Sequence, residues 1–393
     1  MDIIILADFV SLTEGSNGRF RYLADMLTSD PENTVEIVTS DFSHGQKARI
    51  TEVPQGLPYK ITLLHEGAYP KNVCIRRFFA HNLWGRNVAK YLKERKKPDV
   101  IYAAMPTLRA AYEASKYCRK NGVRFVIDVQ DLWPEAYKMV FRIPVVSSII
   151  FYPFQWLAEH AYAGADAICA VSRSYVDRAL KENKKCKDGS VVFLGTDLSS
   201  FDDNVRENPV KRDDDEIWLG YVGTLGASYD LICVIDALKI LDNPKLRLIV
   251  MGHGPREEEF KQHAADTGIK ADFLGWVPYP EMCGRLTACD IAVNPIVSGS
   301  AASIINKHGD YAASGIPVLN TQESREYRNL VEEWNMGFNS KCGDPTELAE
   351  NLRKLADDPE LRRRMGEGAR KCAEARFDRR NSYVALVDAI MGK

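Results

Sequence analysis

The chain has 393 residues, 45% of them hydrophobic and 27% charged, with a formal net charge of −2. That is the composition of a globular enzyme long enough for two ordinary domains. No uncharged apolar run reaches the ~20 residues that a membrane-spanning helix needs. The nine cysteines show no C-x-x-C spacing, which argues for reduced thiols in the cytosol and against a disulfide frame or a zinc site. Charge is uneven: residues 1–200 carry 27 Lys and Arg against 22 Asp and Glu, and the remainder carries 25 against 32. A basic first half suggests that it faces anionic material such as a membrane.

Strand-like runs alternate with helical patterns from end to end, the signature of βαβ units and parallel sheets. The first run, "MDIIILADF", lacks a basic n-region and reads as a strand over Ile3–Leu6, with no signal peptide. Further strands are expected at Glu36–Thr39, Ile61–Leu64, Val100–Ala104, Phe125–Val129 and Ala167–Val171. Between the first two, a helix behind a Ser16/Asn17 cap places Phe20, Leu23, Ala24 and Leu27 on one face. Residues 203–216, polar and containing Pro209, read as a linker. A second alternation follows at Trp218–Val222, Leu246–Met251, Asp272–Leu274, Ile291–Val293 and Ile316–Leu319. The expected fold class is therefore α/β, with two Rossmann-like doubly wound parallel-sheet domains. Domain one spans residues 1–202 and domain two 217–376, with a C-terminal helical segment over 377–393.

Ligands of such sheets bind beyond the carboxyl ends of the strands, and the candidate motifs fall there. Gly223 and Thr224 form a strand–helix turn able to wrap an anion, and Gly252 and Gly254 form a second. Trp276 and Val277 lie on a third. Pro295 to Asn320 combines a small-residue loop with a helix expected over Ser303–Ser314. Ser303, Lys307 and Asp310 at spacings of four and three would share one face of it. In the first half, Gly18 and Arg19 open the first helix beside Asn17. "VIDVQDLWPE" ends a strand with Asp128, Gln130, Asp131 and Glu135. Strand-end carboxylates are candidates for catalysis or acceptor binding; capping by Asp131 and packing by Trp133 is the competing structural reading. The histidines show no ligand spacing. Residues 71–97 carry nine Lys and Arg against one acid, with Phe78, Phe79, Leu83 and Trp84 interleaved. Such a helix can lie on an anionic membrane. Residues 143–158 are uncharged and aromatic, fitting either a buried helix or an interfacial one.

The ordered set G-x-G-P at Gly252, "FLGWVPYP" and "NKHGDYAASGIPVL" resembles the donor site of glycosyltransferase family 4, the retaining GT-B sugar transferases. Asp310 stands where the family has the second Glu of its E-x7-E motif, and Ala302 stands at the first. Gln130 stands where the family frequently has His. The resemblance implies two domains facing across a cleft, with the C-terminal helix crossing back to the first. It implies metal-independent transfer with no cofactor from a nucleotide-diphospho sugar, UDP favoured, to a lipid-linked or glycan acceptor. The setting implied is bacterial surface-polysaccharide assembly, cytoplasmic or peripheral at the inner membrane face. Nucleic acid is not an expected partner.

Carried over to this chain, donor binding falls to Gly18, Arg19, Gly223, Thr224, Gly252, Gly254, Trp276, Val277, Ala302, Ser303, Ile304, Lys307 and Asp310. Acceptor binding falls to Asn17, Gln130 and Asp131, and catalysis to Asp131, Lys307 and Asp310. Two alternatives share the architecture: a sugar-nucleotide 2-epimerase and a catalytically degenerate nucleotide-sugar-binding subunit.

Overall fold

The structure is a computed structural model that describes all residues except 13–17, 72–73, 136–143, 213–214 and 301–302, and only the backbone of 144–148. The expectations for Ser16, Asn17 and Ala302 lie outside the described residues. Contacts divide the chain into two units, Met1–Phe193 with Ser382–Lys393, and Leu194–Asn381.

The first unit holds β1 (Asp2–Leu6), β2 (Thr34–Ser40), the hairpin strands β3 (Phe42–Ser43) and β4 (Ala48–Arg49), then β5 (Lys60–Leu64), β6 (Val100–Met105), β7 (Arg124–Val129), β8 (Ala167–Ala170) and β9 (Ser190–Val191). Seven of them form one parallel sheet in the order β5-β2-β1-β6-β7-β8-β9. Strand order reverses at β1/β6, which places the ligand end of this sheet beyond Leu6 and Met105. Ile3, Ile5, Val100, Tyr102 and Val126 are fully buried, as strands covered on both faces by helices must be. Helix α1 (Arg19–Thr28) packs Phe20, Leu23, Ala24 and Leu27 inward, as the spacing predicts. Helices α2 (Ile75–Glu94), α3 (Leu108–Asn121) and α4 (Pro144–Gly164) follow. No helix among the described residues is long and apolar enough to cross a membrane.

The second unit carries β10 (Ile217–Val222), β11 (Leu246–Met251), β12 (Lys270–Phe273), β13 (Ile291–Asn294), β14 (Val318–Asn320) and β15 (Gly337–Asn339). They form a parallel sheet ordered β12-β11-β10-β13-β14-β15, reversing at β10/β13. β15 was not expected from sequence, because three residues give too short a run to read.

Three boundaries differ from the sequence reading. The contact boundary falls at Phe193/Leu194, and the linker read over 203–216 begins inside a helix, Leu198–Glu207, capped by Asp197. Phe201 on that helix is buried, and one apolar anchor among acids is a weak periodic signal. At the C-terminus only Ser382–Lys393 belongs to the first unit. Residues 378–379 remain with the second: Thr196 pairs with Asp378, and the Arg379 guanidinium donates to the Leu194 and Gly195 carbonyls. Finally, the helix expected from Ser303 starts at Asn306 and ends at Ala313. The His308 ring accepts the Ile305 N–H, so the side chain that fixes the helix start comes from inside its first turn.

Candidate functional site

Lys307 projects from the helix Asn306–Ala313 toward the strand-order reversal of the second sheet. It is buried, and among the described residues its Nζ has no hydrogen-bond partner. The ammonium lies 4.1 Å from the centroid of the Tyr221 ring and 4.1 Å from that of Tyr229. Two aromatic faces partly compensate a buried cation but give it no counter-charge. Burial holds its pKa well below the usual value. Gly223, at φ +132°, lies beside it: a Cβ there would meet Lys307 Nζ at 3.0 Å. The side-chain-free backbone at the end of β10 thus lets the ammonium approach closely.

The three glycine turns are neighbours, for a reason the sequence did not reveal. A Cβ on Gly252 would stand 1.8 Å from the Gly223 carbonyl oxygen, and one on Gly254 2.4 Å from that of Leu225. Gly252 N–H donates to the Gly275 carbonyl at 2.7 Å, and Leu225 N–H to the His253 carbonyl at 3.0 Å. Close loop-on-loop packing therefore accounts for Gly252 and Gly254, and the Gly252 amide assigned to the donor is spent on Gly275. Thr224 and Trp276 stand exposed beside these turns, and Val277 is partly exposed.

Asp310 follows Lys307 by three positions but does not share its surroundings. Its Oδ1 accepts from Thr196 Oγ1 and Tyr279 OH, each at 2.9 Å. Burial pushes its carboxyl up to about 6, with Thr196 and Tyr279 pulling it back. The common face expected for Ser303, Lys307 and Asp310 is corrected by the helix start and by these partners. Ser303 precedes the helix; its hydroxyl lies 3.4 Å from Ser324 Oγ and 3.3 Å from Glu326 Oε2. Ile304 is buried.

Beneath the Ser303 loop runs a ladder of amides. Asn294, Asn320 and Asn339 end β13, β14 and β15 in register. Asn294 Nδ2 donates to Asn320 Oδ1 at 2.9 Å, and Asn320 Nδ2 to Asn339 Oδ1 at 2.8 Å. Gln322 accepts from Asn294 and donates to the Ser303 carbonyl at 2.7 Å, tying the ladder to the loop. The repeated ending of an apolar strand in Asn (IAVN, PVLN, GFN) was the available signal, and it went unread.

In the first unit the assignments change more. Arg19 is buried, and its Nε and Nη2 each donate to the Asp128 carboxylate at 3.1 Å. Its Nη1 reaches the Phe193 carbonyl and Tyr383 OH. Asp128 also accepts from Tyr102 OH and from Gln130 Nε2, each at 2.6 Å. Arg19 and Asp128 are thus a buried ion pair holding α1, β7 and the C-terminal segment together, in place of the donor contact expected for Arg19. Gln130 is partly committed to the same carboxylate. Gly18 precedes α1 at φ −84°, a conformation open to any residue. Asp131 accepts from Trp133 Nε1 at 2.9 Å; burial raises its carboxyl, and that indole lowers it again.

A further cluster joins Asp8, Glu66 and His81, all buried. His81 Nδ1 lies 2.9 Å from both Asp8 Oδ2 and Glu66 Oε1. Arg77 Nε–H donates to His81 Nε2 at 3.0 Å, so the neutral ring carries its proton on Nδ1, between the carboxylates. A cation here would have to displace that proton and the Arg77 contact. A cavity of about 420 Å³ in the same unit lies at the opposite ends of β7 and β8, lined by Arg124, Asp166, Cys186 and Asp388, away from every candidate residue.

Two parallel α/β units, each with candidate residues beyond the carboxyl ends of its strands, make up the GT-B fold. Over its full length the chain superposes on Anabaena Alr3699/HepE, solved in complex with UDP, with a TM-score of 0.71 at 16% identity and 100% of both chains covered. Residues 202–372 match the family described as Glycosyl transferases group 1. The chain therefore has the fold of GT-B proteins, and within its second unit it is similar to the glycosyl transferases group 1 family. EpsD of Bacillus subtilis (strain 168), named as a glycosyltransferase, is 23% identical over 321 residues, 77% of this chain and 80% of that one. The lipopolysaccharide core biosynthesis glycosyltransferase LpsD of Rhizobium meliloti (strain 1021) is 28% identical over 165 residues, 41% of this chain and 46% of that one.

Proposed function

We propose that the protein is a retaining, metal-independent glycosyltransferase. It moves a sugar from a nucleotide-diphospho sugar, a UDP-sugar by preference, to a lipid-linked or glycan acceptor in bacterial surface-polysaccharide assembly at the inner membrane face. The observation that carries this reading is the Lys307 ammonium, buried between Tyr221 and Tyr229 beside Gly223. A diphosphate is the ligand that would relieve an unpaired cation at a strand-order reversal. The UDP in the Alr3699/HepE complex and the lipopolysaccharide role in the name of LpsD support the nucleotide and the pathway. Exposed Trp276 is suited to stack a base.

The chemistry follows from what stands at the key positions. Double displacement needs a carboxylate nucleophile, and the sequence has Ala302 at the family's first acidic position. The leaving diphosphate, neutralised by Lys307, instead takes the proton of the acceptor hydroxyl as the new glycosidic bond forms on the same face. Asp131 orients that hydroxyl, and Asp310 positions the Lys307 helix.

The test begins with UDP, UDP-sugars and GDP-sugars in thermal unfolding, since a ligand bound only by the folded state must raise the melting temperature. The expected result is stabilisation by UDP and one UDP-sugar, followed by a product with the donor's anomeric configuration and no sugar mass on the protein. No stabilisation by any nucleotide-sugar overturns the donor reading; an inverted product overturns retention.

A further inference from the structure

Large apolar side chains normally leave water, yet this chain exposes several together. On α2, Ile75 is 74% and Phe79 72% exposed, and Leu83 is exposed as well. On α4, Ile149 is 71% and Tyr152 65% exposed, with Ile150 and Trp156 also in solvent. The two helices meet where Phe78 packs between them, its ring 4.9 Å from Phe154 and 6.4 Å from Phe151. The exposed residues lie within two turns of that contact on each helix. Apolar area gathered in this way marks an interaction surface.

The other exposed residues of α2 show what that surface fits. Positions 75, 79, 83, 86, 90 and 93 are spaced by three or four and form one stripe along the helix. The stripe is apolar at 75, 79 and 83, and cationic at Arg86, Lys90 and Lys93, with Arg76 exposed at its apolar end. The opposite face carries Trp84, Val88 and Leu92 into the core. An apolar patch beside a row of cations matches a bilayer surface, where hydrocarbon lies beneath anionic headgroups. A second copy of the chain would bring two cationic rows together, which like-charge repulsion opposes.

We infer that α2 and the exposed residues of α4 from Ile149 onward dock on an anionic lipid surface. Ile75, Phe79, Ile149, Ile150 and Tyr152 enter the interfacial layer, and Arg76, Arg86, Lys90 and Lys93 meet the phosphates. Among the described residues no helix is able to cross, so these contacts are made at the surface. This assigns a partner beyond glycosyl transfer, and its test does not read turnover, so its failure would leave the donor reading standing.

The experiment floats the full chain with phosphatidylcholine vesicles, with and without phosphatidylglycerol, at low and high salt. Phe79→Ser with Ile149→Ser should weaken partition about tenfold at both salt concentrations, because buried apolar area is not screened. Lys90→Glu with Lys93→Glu should weaken it about tenfold at low salt only. All four residues are exposed or on the helix exterior, so unchanged melting curves verify the folds. Absence of wild-type flotation with phosphatidylglycerol, or equal flotation of wild type and both variants, overturns the inference. So does a wild-type dimer in sedimentation velocity that the Phe79/Ile149 variant dissolves, because the patch would then be a protein interface.

Discussion

Lys307 and Tyr221 form a cation–π pair in which the ammonium, 4.1 Å from the ring centroid, has no hydrogen-bonded anion among the described residues. A buried, unpaired charge lowers stability, so its retention points to a ligand. Lys307→Met keeps the apolar stem and removes the charge. The melting temperature should hold or rise, while UDP affinity falls at least tenfold, from loss of a charge-assisted contact of roughly 1.5–3 kcal/mol. Calorimetric titration with UDP checks it; unchanged affinity removes Lys307 from the donor site.

Because burial holds the Lys307 pKa well below its usual value, the group gives up its proton readily in the empty site. A bound diphosphate restores the charged form, so binding must take up a proton. UDP affinity should therefore fall as pH rises between the lowered pKa of the empty site and the higher one of the complex. Titrations in buffers of different ionisation enthalpy measure the uptake; a binding enthalpy independent of buffer would contradict it.

Asp310 gives a stability prediction of definite sign. Its folded pKa of about 6 lies above the ordinary 3.8. Its stabilising term is fully present below pH ~4 and is lost as pH rises through ~6, at a cost of roughly 2–3 kcal/mol. Asp310→Asn keeps the Oδ1 acceptor for Thr196 and Tyr279 and removes the ionisation. The variant's melting temperature should match or exceed the wild type's above pH 7, and its pH profile between 4 and 7 should be flatter. Parallel profiles would show that Asp310 does not titrate there.

Arg19 should act on stability rather than on the donor. Arg19→Leu leaves the fully buried Asp128 without its cation. Breaking one side of such a pair costs about 3–5 kcal/mol. Urea unfolding of the first unit should show that loss, and Asp128→Asn, which keeps acceptor capacity for Tyr102, should lose less. A donor KM defect with unchanged unfolding would return Arg19 to the donor site.

The sequence alone determined the alternation of apolar strands and amphipathic helices, and with it two doubly wound sheets. It also placed the glycine turns and Asp131 at strand ends, and Lys307 on the helix that follows the small-residue loop. These are local readings: periodicity of two and 3.6, and glycine where backbone must turn. Tertiary structure alone decided what each residue touches. Three strand-terminal asparagines became a ladder only because β13, β14 and β15 lie side by side in register. Arg19 left the donor assignment because Asp128, 109 positions away, comes within 3.1 Å of it. Gly252 proved to be a packing glycine because Gly223 lies against it. The exposed face of α2 became visible only once burial of Trp84, Val88 and Leu92 fixed which way the helix turns. Charge and hydrogen-bond partners are properties of distance in space, and distance in sequence carries almost no record of them.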